Sequence, residues 1–246
     1  MAKTHAFPGR VPNPLSCFTC QSRSRSEWCV LSDEDLDLLD QAKVTKTYRP
    51  GQIIIAQGDP CRGIYCIESG TVALRKSDAE GNSALVRLAH AGQTFGYRTY
   101  FGRGEFTSSA EALEPCTICL IETPSLRRLL DHNPTLGFKF LEHLAHDLAN
   151  AEETILQNVS LSVRTRLAHL LLTLKDRYGS VDDAGTLVIS LPMRRQDIAD
   201  LLGTRPETIA RTIRTLEQDQ VASFSGRRVM IPDLDHLLDE IDPVDH

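Results

Sequence analysis

The amino-acid sequence predicts an α+β chain made of a β-roll, a long helix and a winged helix-turn-helix. Three observations predict it. Between residues 45 and 123, short β-rich runs alternate with glycine-centred turns about every 8–12 residues, the spacing of an all-β roll or barrel. Across residues 137–158, Leu141, Leu144, Leu148, Ala151 and Ile155 recur at steps of three, four, three and four. That is a narrow coiled-coil seam, not a broad core-facing stripe, and it predicts a homodimer helix. Residues 196–216 read as two short helices joined by a tight turn at Gly203.

In order, residues 1–16 hold Pro8, Gly9, Pro12 and Pro14 and little apolar content, the composition of a mobile arm. Cys17, Cys20 and Cys29 follow. A Cys-x2-Cys pair lets two thiolates face one metal, and eight residues are enough to bring back a third. Iron–sulfur clusters and structural zinc both use such sets. Residues 31–39 form a short amphipathic helix, with Ser32 as N-cap and acidic residues in its first turn. After the roll, residues 124–131 are a short helix and Pro134 opens the long one. Asn158-Val159-Ser160 is read as a hinge, 161–178 as an amphipathic helix and 187–191 as a strand. His143 and His146 on the long helix are read as solvated. The expected divisions are an arm over 1–30, the roll over 31–134, the dimer helix over 135–160 and the winged domain over 161–246.

In the helix-turn-helix, Thr204 with Glu207 suggests a capping box, and Pro206 suits a first helical turn. Ile209, Ile213 and Leu216 face inward at helical spacing. The other face offers Arg205, Glu207, Thr208, Ala210, Arg211 and Arg214. Short polar side chains at a helix N-terminus suit a DNA major groove: Glu can accept from cytosine N4, and Arg can donate twice to guanine. Residues 221–231 make the wing hairpin, with Arg227 and Arg228 at its tip.

Composition narrows the function classes. With 246 residues, 41% hydrophobic, the chain can bury one large core or two ordinary ones. The net charge of −6 argues against a protein that coats nucleic acid non-specifically. Five arginines between 194 and 214 place basic charge locally instead. No run approaches the roughly 20 apolar residues of a membrane span, and the first residues lack an apolar signal core, so a cytoplasmic location is expected. Seven cysteines, an odd number, argue against a disulfide framework. No nucleophile–base set suggests an enzyme.

The order of roll, long helix and winged domain resembles the CRP/FNR family, that of the cyclic-AMP receptor protein and the FNR-type oxygen regulators. The resemblance is carried by the roll turns Gly58-Asp59-Pro60, Glu68-Ser69-Gly70 and Ala91-Gly92-Gln93, and by Pro206-Glu207-Thr208-Ile209-Ala210-Arg211. It implies a cyclic-nucleotide-binding-like roll. The nucleotide binders' Gly-Glu and Arg-Ser are replaced by Gly96-Tyr97 and Thr107-Ser108, so no cyclic phosphate is expected. The carbon-monoxide haem sensors' Cys and His are replaced by Gly96 and Arg98. Cys119, after Ala112-Leu113-Glu114, falls where FNR-type sensors carry a distant cysteine. The resemblance therefore implies a [4Fe–4S] cluster on Cys17, Cys20, Cys29 and Cys119, with Cys116 as a substitute for Cys119. Cys61 and Cys66 read as buried strand cysteines. It further implies an activator working with RNA polymerase, which binds a palindromic TTGA(T/C)-like site in double-stranded DNA as a homodimer. Ala210 stands where FNR-type helices carry Ser. Sensing of nitric oxide or redox state through thiols or another metal stays open.

Overall fold

The computed structural model describes residues 16–183 and 185–241, so the expected arm lies outside the described residues as far as residue 15. Two 3-10 turns, Arg23–Arg25 and Glu27–Val30, lead into α1 (Asp33–Ala42). The Ser32 hydroxyl accepts from Asp35 N at 3.1 Å, the expected cap.

The roll is built from β1 (Val44–Tyr48), β2 (Ile53–Ile55), β3 (Gly63–Ser69), β4 (Thr71–Ser77), β5 (Ser83–His90), β6 (Thr94–Phe95), β7 (Ser109–Ala112) and β8 (Cys116–Glu122), with α2 (Tyr97–Gly102) between β6 and β7. Two antiparallel sheets face each other, in the orders β1-β8-β3-β6 and β2-β7-β4-β5. Tyr65, Ile67, Phe95, Cys116 and Ile118 fill the space between them. The alternate residues Ile64, Cys66 and Ile121 point out of the first sheet. There they pack under α1, α3 (Thr123–His132) and α4 (Pro134–Ser160), so this sheet is buried on both faces. α4 stays helical through the expected hinge. The chain breaks at Leu161 instead, and Ser162 caps α5 (Val163–Tyr178) by accepting from Thr165 N at 3.1 Å.

The C-terminal part holds β9 (Gly179–Val181), β10 (Leu187–Ser190), α6 (Arg195–Leu201), α7 (Pro206–Gln218), β11 (Ser223–Ser225), β12 (Arg228–Ile231) and α8 (Leu234–Asp239). Its sheet runs β11-β12-β10-β9. Its core continues into the roll: Ala73 and Leu85 join Ile198, Ile209 and Leu216 in one buried cluster. Arg75 Nη1 donates to Asp197 Oδ1 at 2.7 Å, and Leu85 N donates to Asp200 Oδ2 at 3.1 Å, so α6 is tied to β4 and β5.

A second tie has a pH dependence. His90 Nδ1 lies 3.1 Å from the Tyr178 hydroxyl, which lies 2.7 Å from Thr71 Oγ1. Burial, with Arg177 and Arg87 nearby, pushes the His90 pKa down to about 4. The folded chain therefore resists a proton that the unfolded chain accepts at an ordinary histidine pKa of about 6.5. Stability is complete above about pH 6.5 and falls as the pH drops toward 4. His90→Gln should flatten that acid limb, read from urea midpoints at pH 7 and pH 4.5. An unchanged pH dependence would remove His90 from the account.

Candidate metal centre and nucleic-acid interface

α1 fixes the start of the described arm. Cys17 N donates to Asp40 Oδ1 at 2.7 Å, and Ser16 Oγ donates to Asp40 Oδ2 at 3.1 Å. Lys43 Nζ bridges Asp40 Oδ1 at 2.9 Å and Cys17 Sγ at 3.3 Å. Burial pushes the Cys17 thiol up to about 12 against the lowering pull of Lys43. Ser22 Oγ donates to the Glu68 carbonyl at 2.7 Å, which pins the next turn to the end of β3.

Between these anchors the arm closes over the outward face of β3 and β8. Cys17, Cys20, Cys66 and Cys119 line one cavity there, with Trp28, Lys43 and Ile121. Strand alternation sends the two β8 cysteines to opposite faces. Cys116 turns into the roll and donates to the Thr71 carbonyl at 3.3 Å, whereas Cys119 faces the arm, 3.5 Å from Thr45 Oγ1. Cys66 stands directly across from Cys119 in the β3–β8 register. Sequence reading missed it as a member of this set, because only the register brings it there. Cys29 departs from expectation: it is exposed and does not line the cavity. The cause is local. Glu27 and Trp28 beside it are buried, and their burial turns Cys29 outward.

The donor set fits a thiolate-bound group. Soft thiolates suit iron–sulfur clusters and zinc. The Trp28 indole Nε1, buried in the cavity wall, makes no hydrogen bond of normal geometry among the described residues and lies within reach of the Cys66 thiol, so it could donate to sulfur. Among the described residues no three His, Cys, Asp or Glu side chains are spaced to hold a single ion. The thiols thus share a cavity without forming a finished single-ion cage.

The same turn couples the arm to α4. The Trp28 and Phe140 rings meet edge-on at 5.5 Å. Glu27 Oε1 is hydrogen-bonded to His143 Nδ1 and accepts from Thr94 Oγ1 at 3.0 Å. His143, expected in solvent, is therefore half-buried in a polar network, whereas His146 is exposed. One turn on, Asp147 accepts from Tyr97 OH, from Arg87 Nη1 at 2.9 Å and from Arg98 Nη2 at 2.6 Å. The opposite face of α4 is apolar and open: Leu141, Leu148 and Ile155 are 59%, 63% and 64% exposed. Ala151 is exposed beside them, and Leu144 turns partly inward onto the roll core. The exposed side chains of Phe138 and Val159 extend the open face at both ends.

In the helix-turn-helix, Gly203 has φ +58, and a Cβ there would meet the Asn158 side chain at 3.2 Å. Asn158 Oδ1 accepts from Arg166 Nη1 at 2.7 Å, so the end of α4 sits against the turn. The expected capping box is not formed. α7 begins at Pro206, so its N-cap is Arg205 rather than Thr204, and a guanidinium has no acceptor to offer the first-turn N–H groups; Thr204 N instead donates to the Ala199 carbonyl at 2.9 Å. The N-terminal bond forms on α6 instead, where Asp197 Oδ2 accepts from Arg194 N at 2.8 Å. On α7, Ile209, Ile213 and Leu216 are buried, Arg205, Glu207, Arg211 and Arg214 are exposed, and Thr208 and Ala210 are half-buried. Thr208 and Arg211 share a shallow cleft with Arg164, which is held by Asp219 and Glu240 at 2.5 Å each.

Comparison with known proteins matches both halves. Residues 45–133 match the cyclic nucleotide-binding domain, and residues 165–240 match the Crp-like helix-turn-helix domain. The chain belongs to the CRP/FNR family. Among curated relatives, it is 26% identical to the transcriptional activator protein FnrL of Cereibacter sphaeroides over 235 residues, 94% of each chain. It is 28% identical to the fumarate and nitrate reduction regulatory protein of Vibrio cholerae over 226 residues, 90% of each. Among solved structures, FixK2 from Bradyrhizobium japonicum superposes with TM-score 0.68 at 24% identity, covering 80% of this chain and 96% of that one. A CRP/FNR-family regulator from Thermus thermophilus gives TM-score 0.68 at 25% identity, covering 81% and 98%. This CRP/FNR chain is a DNA-binding transcriptional regulator and not an enzyme. None of its described helices is long and apolar enough to cross a membrane.

Proposed function

We propose that this regulator responds to oxygen through a [4Fe–4S] cluster, and that it activates anaerobic gene expression with RNA polymerase. In this reading it binds a palindromic TTGA(T/C)-like site as a homodimer. One observation carries the reading: thiols from the arm and from β8 meet in a cavity whose wall, Trp28, also packs on α4. Curated relatives named as anaerobic regulatory proteins, from Haemophilus influenzae and Pasteurella multocida, support the same direction.

Cys17, Cys20, Cys119 and a fourth cysteine would hold the cluster, which would supply a group that oxygen destroys. The chain's own side chains do the rest. Lys43 offsets negative charge beside Cys17. Trp28 and Glu27 pass the position of the arm to Phe140 and His143 on α4. The open face of α4 meets a second copy, and Asn158 passes the pose of α4 to the turn before α7. Two copies of α7 then lie about one DNA turn apart, matching a two-fold site. A cyclic nucleotide finds no support here: Tyr97 is buried after Gly96, with its hydroxyl committed to Asp147, and Thr107 brings no cation.

The test is iron and acid-labile sulfide per chain after anaerobic purification, with visible absorption followed as air enters. About four of each, with a thiolate-to-iron band that bleaches, is the expected result. Cys119→Ser should hold under one iron per chain and bind DNA equally weakly with and without air, at a nearly unchanged unfolding midpoint. Equal anaerobic and aerobic binding by the wild type would sink the reading.

A further inference from the structure

We propose that Arg75, on the bulged β4–β5 hairpin, is the positioning residue that sets which half-site spacing the protein accepts, by clamping α6 to the roll of its own chain. This rests on the two-fold DNA complex proposed above and names the contact that fixes its geometry.

Three observations build the clamp. The hairpin is irregular where it meets α6: Leu74 pairs with Arg87 but Arg75 pairs with Leu85, so Val86 is an extra residue on β5. A bulge of this kind disrupts the ladder and re-aims the side chains beside it. Val86 is exposed, whereas the neighbouring Leu85 is buried and its N–H donates to Asp200 Oδ2 of α6 at 3.1 Å. Ala73 and Leu85 then complete the buried cluster of Ile198, Ala199 and Leu202, so the hairpin is part of the helix-turn-helix core. Arg75 joins the two bodies by charge. Its Nε donates to Glu111 Oε2 on β7 at 2.6 Å, and its Nη1 donates to Asp197 Oδ1 on α6 at 2.7 Å. The guanidinium is a rigid fork, so the bond to Glu111 aims the bond to Asp197.

The clamp orients the DNA face without covering it. Arg205, Glu207, Arg211 and Arg214 stay exposed while α6 is held. α7 packs on α6 through Ile198 and Ile209, so the pose of α7 follows that of α6. The bond from Tyr178 to Thr71 holds α5 at the other end of β4. Loss of Arg75 therefore leaves the winged domain attached but free to pivot. A clamped domain ties the distance between two recognition helices to the distance between two rolls, and a pivoting one does not.

The experiment uses full-length wild type, Arg75→Met and Glu111→Gln, purified anaerobically. Fluorescence anisotropy compares the palindromic duplex, the same duplex with one base pair added at its centre, and a duplex with one half-site. The added pair turns one half-site by about 35° relative to the other. Wild type should lose about tenfold or more in affinity for the lengthened duplex. Arg75→Met should lose less than about threefold, with its single half-site affinity unchanged. Circular dichroism establishes folding, and Glu111→Gln, which leaves Asp197 its partner but frees the fork, serves if Arg75→Met unfolds. A folded variant that keeps the wild-type spacing penalty overturns the clamp and leaves the two-fold complex standing. Equal loss on all three duplexes makes Arg75 a stability residue only and also overturns it. A wild type with no spacing penalty overturns the two-fold complex, and the clamp with it.

Discussion

Replacing Arg211 with Ala is expected to abolish sequence-specific DNA binding while leaving the fold intact. Arg211 is exposed on α7 and belongs to none of the buried clusters, so its removal costs little stability. In the proposed complex its value lies in the groove, where a bidentate contact to guanine discriminates by about 1–3 kcal/mol. A two-fold complex uses the contact twice, so the dimer loses roughly 2–6 kcal/mol, a factor of about 30 to above 10,000 in affinity. Fluorescence anisotropy at fixed salt, with a palindromic and a scrambled duplex, separates this from loss of non-specific attraction. Arg214→Ala, one turn along, should weaken both duplexes alike and shallow the salt dependence. If Arg211→Ala keeps its preference for the palindrome, base readout belongs to other residues.

The sequence made legible whatever is local. Turn spacing gave the roll, the narrow stripe gave α4, and the polar start of α7 gave residues that the fold leaves exposed or half-buried. Cys17, Cys20, Cys29 and Cys119 could be grouped because three lie close together in sequence and the fourth follows a family motif. Cys66 could not, since its meaning depends on which β8 residue stands opposite it, and register is set by two whole strands. His143 was misread for a related reason. On α4 alone it falls on a polar face, and only the return of the arm with Glu27 buries it. The hinge was misplaced because Asn158 is a poor helix former whose side chain is engaged by Arg166 and by the turn at Gly203. Tertiary contact overrode propensity there.

Replacing Leu148 with Asp is expected to hold the chain as a monomer of about 27.3 kDa even without oxygen. Leu148 is 63% exposed in the single chain, at the middle of an apolar face running from Phe138 to Val159. Burying a leucine contributes about 1.5–3 kcal/mol, and two-fold symmetry counts it twice. An aspartate there loses that gain, and each copy brings a like charge into an apolar seam, a further cost of several kcal/mol. Dissociation should therefore rise by three or more powers of ten, visible by sedimentation at micromolar protein. DNA affinity falls with it, because a monomer engages one half-site. The cavity thiols and Trp28 lie on the roll side of α4, so iron uptake should stay at the wild-type level. That combination, a metal-loaded monomer that cannot hold DNA, would separate the two faces of one helix: the inner face meets the arm through Phe140 and His143, and the outer is the face proposed to meet a second copy. Cys119→Ser should produce the converse, a metal-free chain whose intact seam still dimerises at high concentration. If Leu148→Asp stays dimeric, the copies meet elsewhere, and the arm's contacts with α4 would have to reach α7 through Asn158 alone.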